Sequence, residues 1–240
     1  MAKTKAKASN KGIDKGEGTD DKGKVERFKC KIVTWDEIML WAKDTVDKMK
    51  AAEFKPDIVI GLTRGGWVPA RIMCDIMHIK SLFSIKVEHW GITAQPDGQA
   101  KLIQGLDMDL KGKKVLVVDD ITDTGKSMQL SKEHLLSKGP AELRTATLLH
   151  ITHSVFEPDF YSVKVPKEDW TWFVFPWNFY EDMRTLVPKT LYERKDLEGV
   201  CCAMREQFQV NVDRKQVDGT LNELRDQDKV EVKDGKWSMK

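Results

Sequence analysis

The residues best equipped for chemistry are crowded into Val115 to Met128, which reads Val-Leu-Val-Val-Asp-Asp-Ile-Thr-Asp-Thr-Gly-Lys-Ser-Met. Asp119 and Asp120 are adjacent carboxylates, a pair suited to two neighbouring ribose hydroxyls or to an oxygen-liganded magnesium ion. Burial without a partner would be too costly for either of them. Thr124, Gly125, Lys126 and Ser127 add hydroxyls, a point of close approach without a side chain, and backbone N–H groups at a helix start; together these form an anion nest. The element that must present them is a strand. Val115 to Val118 is the continuous aliphatic run of a parallel strand covered on both faces. The carboxyl end of such a strand is where α/β sheets bind ligands. A plain acidic turn with a capped helix would not need all these groups at once. A Walker A loop is excluded, because Asp120 stands where its first glycine should be.

A second loop has related chemistry. Asp57 to Leu62 reads as another buried strand, ending in Thr63, Arg64, Gly65 and Gly66 before Pro69 sits in the first turn of a helix. An arginine among glycines at a strand end can wrap backbone around an anion while the guanidinium grips it in bidentate fashion. A diphosphate would suit it.

The stretch 115–128 resembles the phosphoribosyl-pyrophosphate (PRPP) motif of type I phosphoribosyltransferases in its apolar run, paired acids and Thr-Gly turn. The resemblance implies that Asp119 and Asp120 hold the ribose hydroxyls and Mg2+, that Asp123 is a general base beside the incoming purine, and that Thr124 to Ser127 wrap the 5′-phosphate. Gly61 to Ala70 resembles the pyrophosphate loop of the purine branch. That implies PRPP contacts from Thr63, Arg64 and Gly65, a catalytic role for Arg64 beside Asp123, and a candidate cis peptide between Thr63 and Arg64. Asp169 to Trp177 resembles the aromatic hood of archaeal and bacterial guanine or xanthine phosphoribosyltransferases, which implies that Trp172 stacks on the base and that the Phe173 backbone reads its edge. One position departs from the family. Where its 6-oxopurine members carry a lysine that donates to O6, this chain has Ile151, with His150 and His153 nearby. Either histidine could take that role, or base preference has changed.

The resemblance covers roughly Phe28 to Arg194 and implies a parallel-sheet α/β phosphoribosyltransferase fold with an aromatic hood. Its reaction would join a 6-oxopurine (guanine, hypoxanthine or xanthine) to PRPP with release of pyrophosphate, in a homodimer. Residues 1–27 are rich in lysine, glycine and aspartate and poor in large apolar groups, which cannot repay the entropy of ordering, so a disordered tail is expected. Thr34 and Glu37 form a capping box, followed by Ile38, Trp41, Thr45, Met49 and Ala52 at helical spacing. Glu88 to Lys101 is polar, bears glycine and proline, and is long for a connection, so a mobile lid over PRPP is expected there.

Residues 195–240 read as helix, helix and a hairpin around an Asp-Gly turn, a small winged-helix-like α+β appendage. Its balanced charge leaves packing, dimerisation and nucleic-acid binding all open. The alternative to a salvage enzyme is therefore a PRPP- or nucleotide-sensing transcriptional regulator that uses residues 196–240 on DNA. Net charge is only +2, so no global field favours nucleic acid. The four cysteines have no metal-knuckle spacing, and the chain has no long apolar span, so a reducing cytoplasm and no membrane are expected.

Overall fold

The computed structural model describes residues 25–90 and 99–240. The expected tail, apart from Val25, Glu26 and Arg27, and the middle of the expected lid lie outside the described residues.

Strand β1 (Cys30–Ile32) leads into α1 (Trp35–Ala51), β2 (Ile58–Thr63), α2 (Trp67–Met77), β3 (Leu82–Trp90), β4 (Gln99–Gln104), β5 (Lys114–Thr122) and α3 (Lys126–Leu136). Then come β6 (Glu142–Ile151), β7 (Phe160–Val165), β8 (Trp172–Val174) and α4 (Phe179–Lys189). The main sheet has the order β4-β3-β2-β5-β6-β7, parallel throughout except for the antiparallel edge pair β3 and β4. Period-2 geometry in β2 and β5 divides their aliphatics between two cores. Val59, Leu116 and Val118 face α1 and α2, while Ile58, Ile60, Leu62, Val115 and Val117 face the layer of α3. With both faces covered, the carboxyl ends of β2, β5 and β6 are left to carry polar residues.

Helix α1 begins as expected. The Thr34 side chain accepts from the Glu37 N–H, the Glu37 side chain accepts from the Thr34 N–H, and Ile38, Trp41, Thr45 and Met49 are buried. Ala52 is not part of the buried face; it is the exposed C-cap, where the chain has already left the helical phase.

Two boundaries differ from expectation. The ends of the expected lid are strand, because Glu88 and Lys101 pair across β3 and β4 along with His89 to Ala100 and Trp90 to Gln99. The aromatic stretch after Phe156 does not all belong to the hood. Its first part is β7, drawn into the sheet by register with β6 and by Phe160 stacking on Phe54 at 5.9 Å. The hood proper is a separate two-stranded parallel sheet, in which Cys30 lies opposite Trp172 and Ile32 opposite Val174.

The last segment consists of α5 (Leu197–Phe208), α6 (Arg214–Asp226), β9 (Val230–Lys233) and β10 (Lys236–Met239). Asp196 and Asp213 cap the two helices, and Asp234 and Gly235, both at positive φ, make the hairpin turn. Its apolar residues do not close on themselves. Val200, Met204, Phe208, Val217, Leu221 and Trp237 share one core with Cys30 of β1, Val174 of β8, and Met183, Leu186 and Val187 of α4.

Candidate active site

A cavity of about 870 Å³ opens at the carboxyl ends of β2, β5 and β6 and is roofed by the hood. The turn from β5 into α3 forms one wall. Here strand geometry persists through Thr122, so Asp119 and Asp120 are part of the strand end. The Asp120 N–H donates to Asp119 Oδ1 (3.0 Å), the Ile121 N–H donates to Asp120 Oδ1 (2.9 Å), and Trp177 Nε1–H donates to Asp120 Oδ2 (3.0 Å). Burial and the neighbouring Asp120 charge push the Asp119 carboxyl well above the usual carboxylate range. Burial also raises Asp120, against the opposing pull of Trp177 and the backbone N–H groups. Two carboxylates held this close in a dry site attract a cation, and magnesium accepts one or two carboxylates with its remaining ligands from water and phosphate oxygens. Among the described residues no cluster of three or more acidic, histidine or cysteine side chains could hold a metal ion by itself.

The diphosphate-type loop packs directly on those acids. The Thr63–Arg64 peptide is cis, as expected for a loop of this kind. Thr63 Oγ1 donates to the Ile85 carbonyl (3.0 Å) and ties the loop to β3. A Cβ on Gly65 would collide with the Asp120 carboxylate, and one on Gly66 would collide with the Val118 carbonyl and Asp119 Cα. Only glycine lets the two loops approach this closely. Arg64 is 73% exposed and forms an ion pair with Glu181 of α4. Gly125, at φ +79°, starts α3 without a side-chain cap of its own, and its missing Cβ makes room for Ser154 and Phe156.

The other wall is aromatic. Trp172 and Phe173 line the cavity together with Trp170, Phe28 and Ile151. The Trp172 ring is fixed on one face by Phe28 (centroids 5.8 Å apart, 24° between planes) and at its edge by Nε1–H donating to Asp182 Oδ1 (3.1 Å). Asp182 lies on α4 beneath the hood; burial, with added repulsion from Glu181 and Asp120, pushes its pKa up to about 7. Its Oδ2 is shielded from water and has no hydrogen-bond partner.

The two histidines separate cleanly. His150 is buried, shares a 2.9 Å hydrogen bond between Nδ1 and Thr122 Oγ1 and packs on Tyr161, and burial pushes its pKa down. It supports the sheet. His153 lines the cavity, and its Nε2 lies 2.7 Å from Asp123 Oδ1. That oxygen is closed to water and has no hydrogen bond of good geometry, so the contact is a close approach rather than an aligned bond.

Of the residues singled out in the sequence, Thr63, Arg64, Gly65, Asp119, Asp120, Asp123, Thr124, Gly125, Ser127, Ile151, Trp172 and Phe173 all line this cavity. Lys126, the first residue of α3, is not among the lining residues. Sequence reasoning missed Phe28, Asp182 and Glu181. The signal for Asp182 is its helical phase, since it lies on the α4 face that buries Met183, Leu186 and Val187, where an acid is out of place.

A parallel sheet whose strand ends hold paired acids, an anion-binding turn and an arginine-glycine loop is the architecture of a phosphoribosyl-transfer site. The chain matches the phosphoribosyl transferase domain family over residues 31–184 and belongs to it. It is a phosphoribosyltransferase. It is 31% identical over 133 residues to the hypoxanthine-guanine phosphoribosyltransferase of Aquifex aeolicus, covering 52% of this chain and 73% of that one. Among solved structures it is similar to the purine phosphoribosyltransferase of Pyrococcus horikoshii (28% identity, TM-score 0.54, 62% of this chain and 94% of that one). It is also similar to a Neisseria gonorrhoeae protein with bound ppGpp (27% identity, TM-score 0.55, 64% of this chain and 92% of that one).

Proposed function

We propose that this phosphoribosyltransferase joins a 6-oxopurine base to PRPP with release of pyrophosphate, as a purine-salvage enzyme. The observation that carries the proposal is a single cavity with an acidic and anion-binding wall opposite an aromatic one. Relatives named for hypoxanthine, guanine and purine support the choice of base.

On this reading Thr124, Gly125, Lys126 and Ser127 hold the 5′-phosphate at the start of α3, and Thr63, Arg64 and Gly65 hold the diphosphate. Asp119 and Asp120 hold the ribose hydroxyls and would hold Mg2+. Bound there, the metal would supply charge neutralisation for the diphosphate. Arg64 exchanges its partner Glu181 for the diphosphate when PRPP binds. The base stacks on Trp172, with the Phe173 backbone and Ile151 at its edge. Asp123 accepts the proton from the base nitrogen that attacks C1′. His153 is placed to donate to the neighbouring purine oxygen, because its Nε2 and the Asp123 oxygen stand side by side as donor and acceptor. It therefore replaces the family's lysine, whose position holds Ile151.

The rest of the organisation belongs to the same proposal: residues 1–27 as a tail, 28–194 as the catalytic unit and 195–240 as an appendage. A homodimer would cover Trp35, Met39 and Leu40, which stand exposed on α1. No described helix is long and apolar enough to cross a membrane. The two buried thiols, Cys30 and Cys74, are raised by burial to about 12 and about 11, and so are inert packing groups compatible with a cytoplasmic enzyme.

The test is pyrophosphate release from PRPP and Mg2+ with guanine, hypoxanthine, xanthine and adenine offered separately. Turnover with at least one 6-oxopurine is expected, falling about 10²- to 10⁴-fold in kcat for Asp123→Asn with the KM for PRPP little changed. PRPP binding without turnover on any base would overturn the proposal.

A further inference from the structure

We infer that the C-terminal appendage is a positioning element for the base site: the end of α5 clamps Phe28, and Phe28 in turn fixes the stacking face of Trp172. The inference rests on the proposed role of Trp172 as the surface that carries the base.

The contacts form an unbroken path. Phe208 is fully buried at the last turn of α5, and its ring lies 4.8 Å from that of Phe28. One residue earlier, the Gln207 carbonyl accepts from the Phe28 N–H (3.0 Å), so side chain and backbone are pinned at the same place. Phe28 also stacks on Trp172 (5.8 Å, 24° between planes) and meets Trp170 in an edge-type contact at 6.1 Å. The Trp172 N–H donates to the Lys29 carbonyl (2.8 Å), which continues into the pairing of β1 with β8.

Phe28 by itself has little to hold it. It precedes β1, and its chain neighbours Arg27 and Lys29 are exposed. The main sheet's cores do not include it; it packs against the core that α4, α5, α6 and the β9–β10 hairpin build together. The ring that backs Trp172 is therefore ordered by residues far along the chain. Aromatic stacking depends on face geometry, so a loose backing ring lowers the occupancy of the productive Trp172 orientation. The cost should fall on base binding and leave the PRPP end of the cavity alone, because the core that holds Phe28 is built from β1, β8, α4 and the appendage and includes no residue of the β5–α3 turn.

The test uses the full chain, with guanine and hypoxanthine as probes at saturating PRPP. Phe208→Leu keeps the core filled with a smaller apolar group but withdraws the ring contact. It is expected to raise the base KM about three- to tenfold, with kcat and the KM for PRPP within twofold of wild type. Val217→Ala, in the same core on α6, serves as the control for general destabilisation. It should lower the melting temperature at least as much and leave the base KM unchanged. Phe28→Leu provides a second route that spares the buried core. It should raise the base KM similarly, and Phe208→Leu added to it should have little further effect, the signature of one shared contact. Equal effects of Phe208→Leu and Val217→Ala on the base KM, or full additivity of the two Phe variants, would overturn the brace. Trp172→Ala separates the two claims. If it leaves the base KM unchanged, the stacking role fails and takes the brace with it. If it raises the base KM while Phe208→Leu does not, only the brace fails.

Discussion

At the end of the cavity proposed to hold phosphate, Asp119 to Ser127 come from one strand, one turn and one helix start, whereas at the end proposed to hold the base Phe28, Ile151, His153, Trp172 and Asp182 come from segments scattered along the chain. The first end works largely through backbone, with glycines that bring main chain against main chain. The second works through side chains, each oriented by another side chain: Trp172 by Asp182 and Phe28, and His153 by Asp123. Backbone sites tolerate almost no substitution at their points of approach. Side-chain sites can change one group at a time without loss of the cavity.

The sharpest test of the backbone-built end is to make the same substitution where main chain approaches main chain and where it does not. At Gly66 an added methyl meets the Val118 carbonyl and Asp119 Cα, main-chain atoms that cannot rotate away. Gly66→Ala is expected to abolish measurable turnover and to cost about 3 kcal/mol or more of stability by urea denaturation. Gly219 lies within α6 with nothing near its missing Cβ. Gly219→Ala should gain about 0.5–1 kcal/mol in the same measurement and leave turnover unchanged.

A smaller effect should appear at the base end, and only at some pH values. Asp182 titrates near 7 in the folded protein and near 4 unfolded, so the native state holds its proton more tightly. The stability this contributes is intact below about pH 4 and is lost as pH rises towards 7. Asp182→Asn keeps an acceptor for Trp172 Nε1 but cannot ionise. It is expected to match wild type near pH 4 and to be more stable by about 2 kcal/mol at pH 8 in thermal melts. A constant difference across that range would show that ionisation of Asp182 has no part in it.

A smaller loss of activity than at Gly66 is expected at His153. His153→Ala should lower kcat/KM for a 6-oxopurine about tenfold, the worth of one hydrogen bond to the base, with the KM for PRPP unchanged. An equal loss on adenine would break the assignment of His153 to the purine oxygen.

The same contrast explains what could be read from the sequence. The strand, paired acids and phosphate turn are contiguous, so residue type and order carry the geometry, and Asp119 to Gly125 fell where expected. The capping box of α1 was legible for the same reason. The base end was only partly legible. Trp172 and Phe173 stood out by type, but nothing local told which of His150 and His153 would face the cavity. The pleat decides it: His150 ends up in register with Lys164 inside the sheet, while His153 lies just beyond the end of β6. Phe28 was hidden by its place beside a polar tail, since its partners Trp172 and Phe208 are distant in sequence. The limits of the expected lid moved because cross-strand pairing of Glu88 with Lys101 outweighed their polar character.

The pairing of Phe28 with Gln207, and of β1 with β8, also sets an order of assembly. During synthesis the phosphate wall can close once β6 has emerged to lie beside β5. Phe28 must wait until Phe208, 180 residues further along the chain, has been made before its backing ring arrives. A chain released early would carry a formed phosphate site beside an unformed base wall.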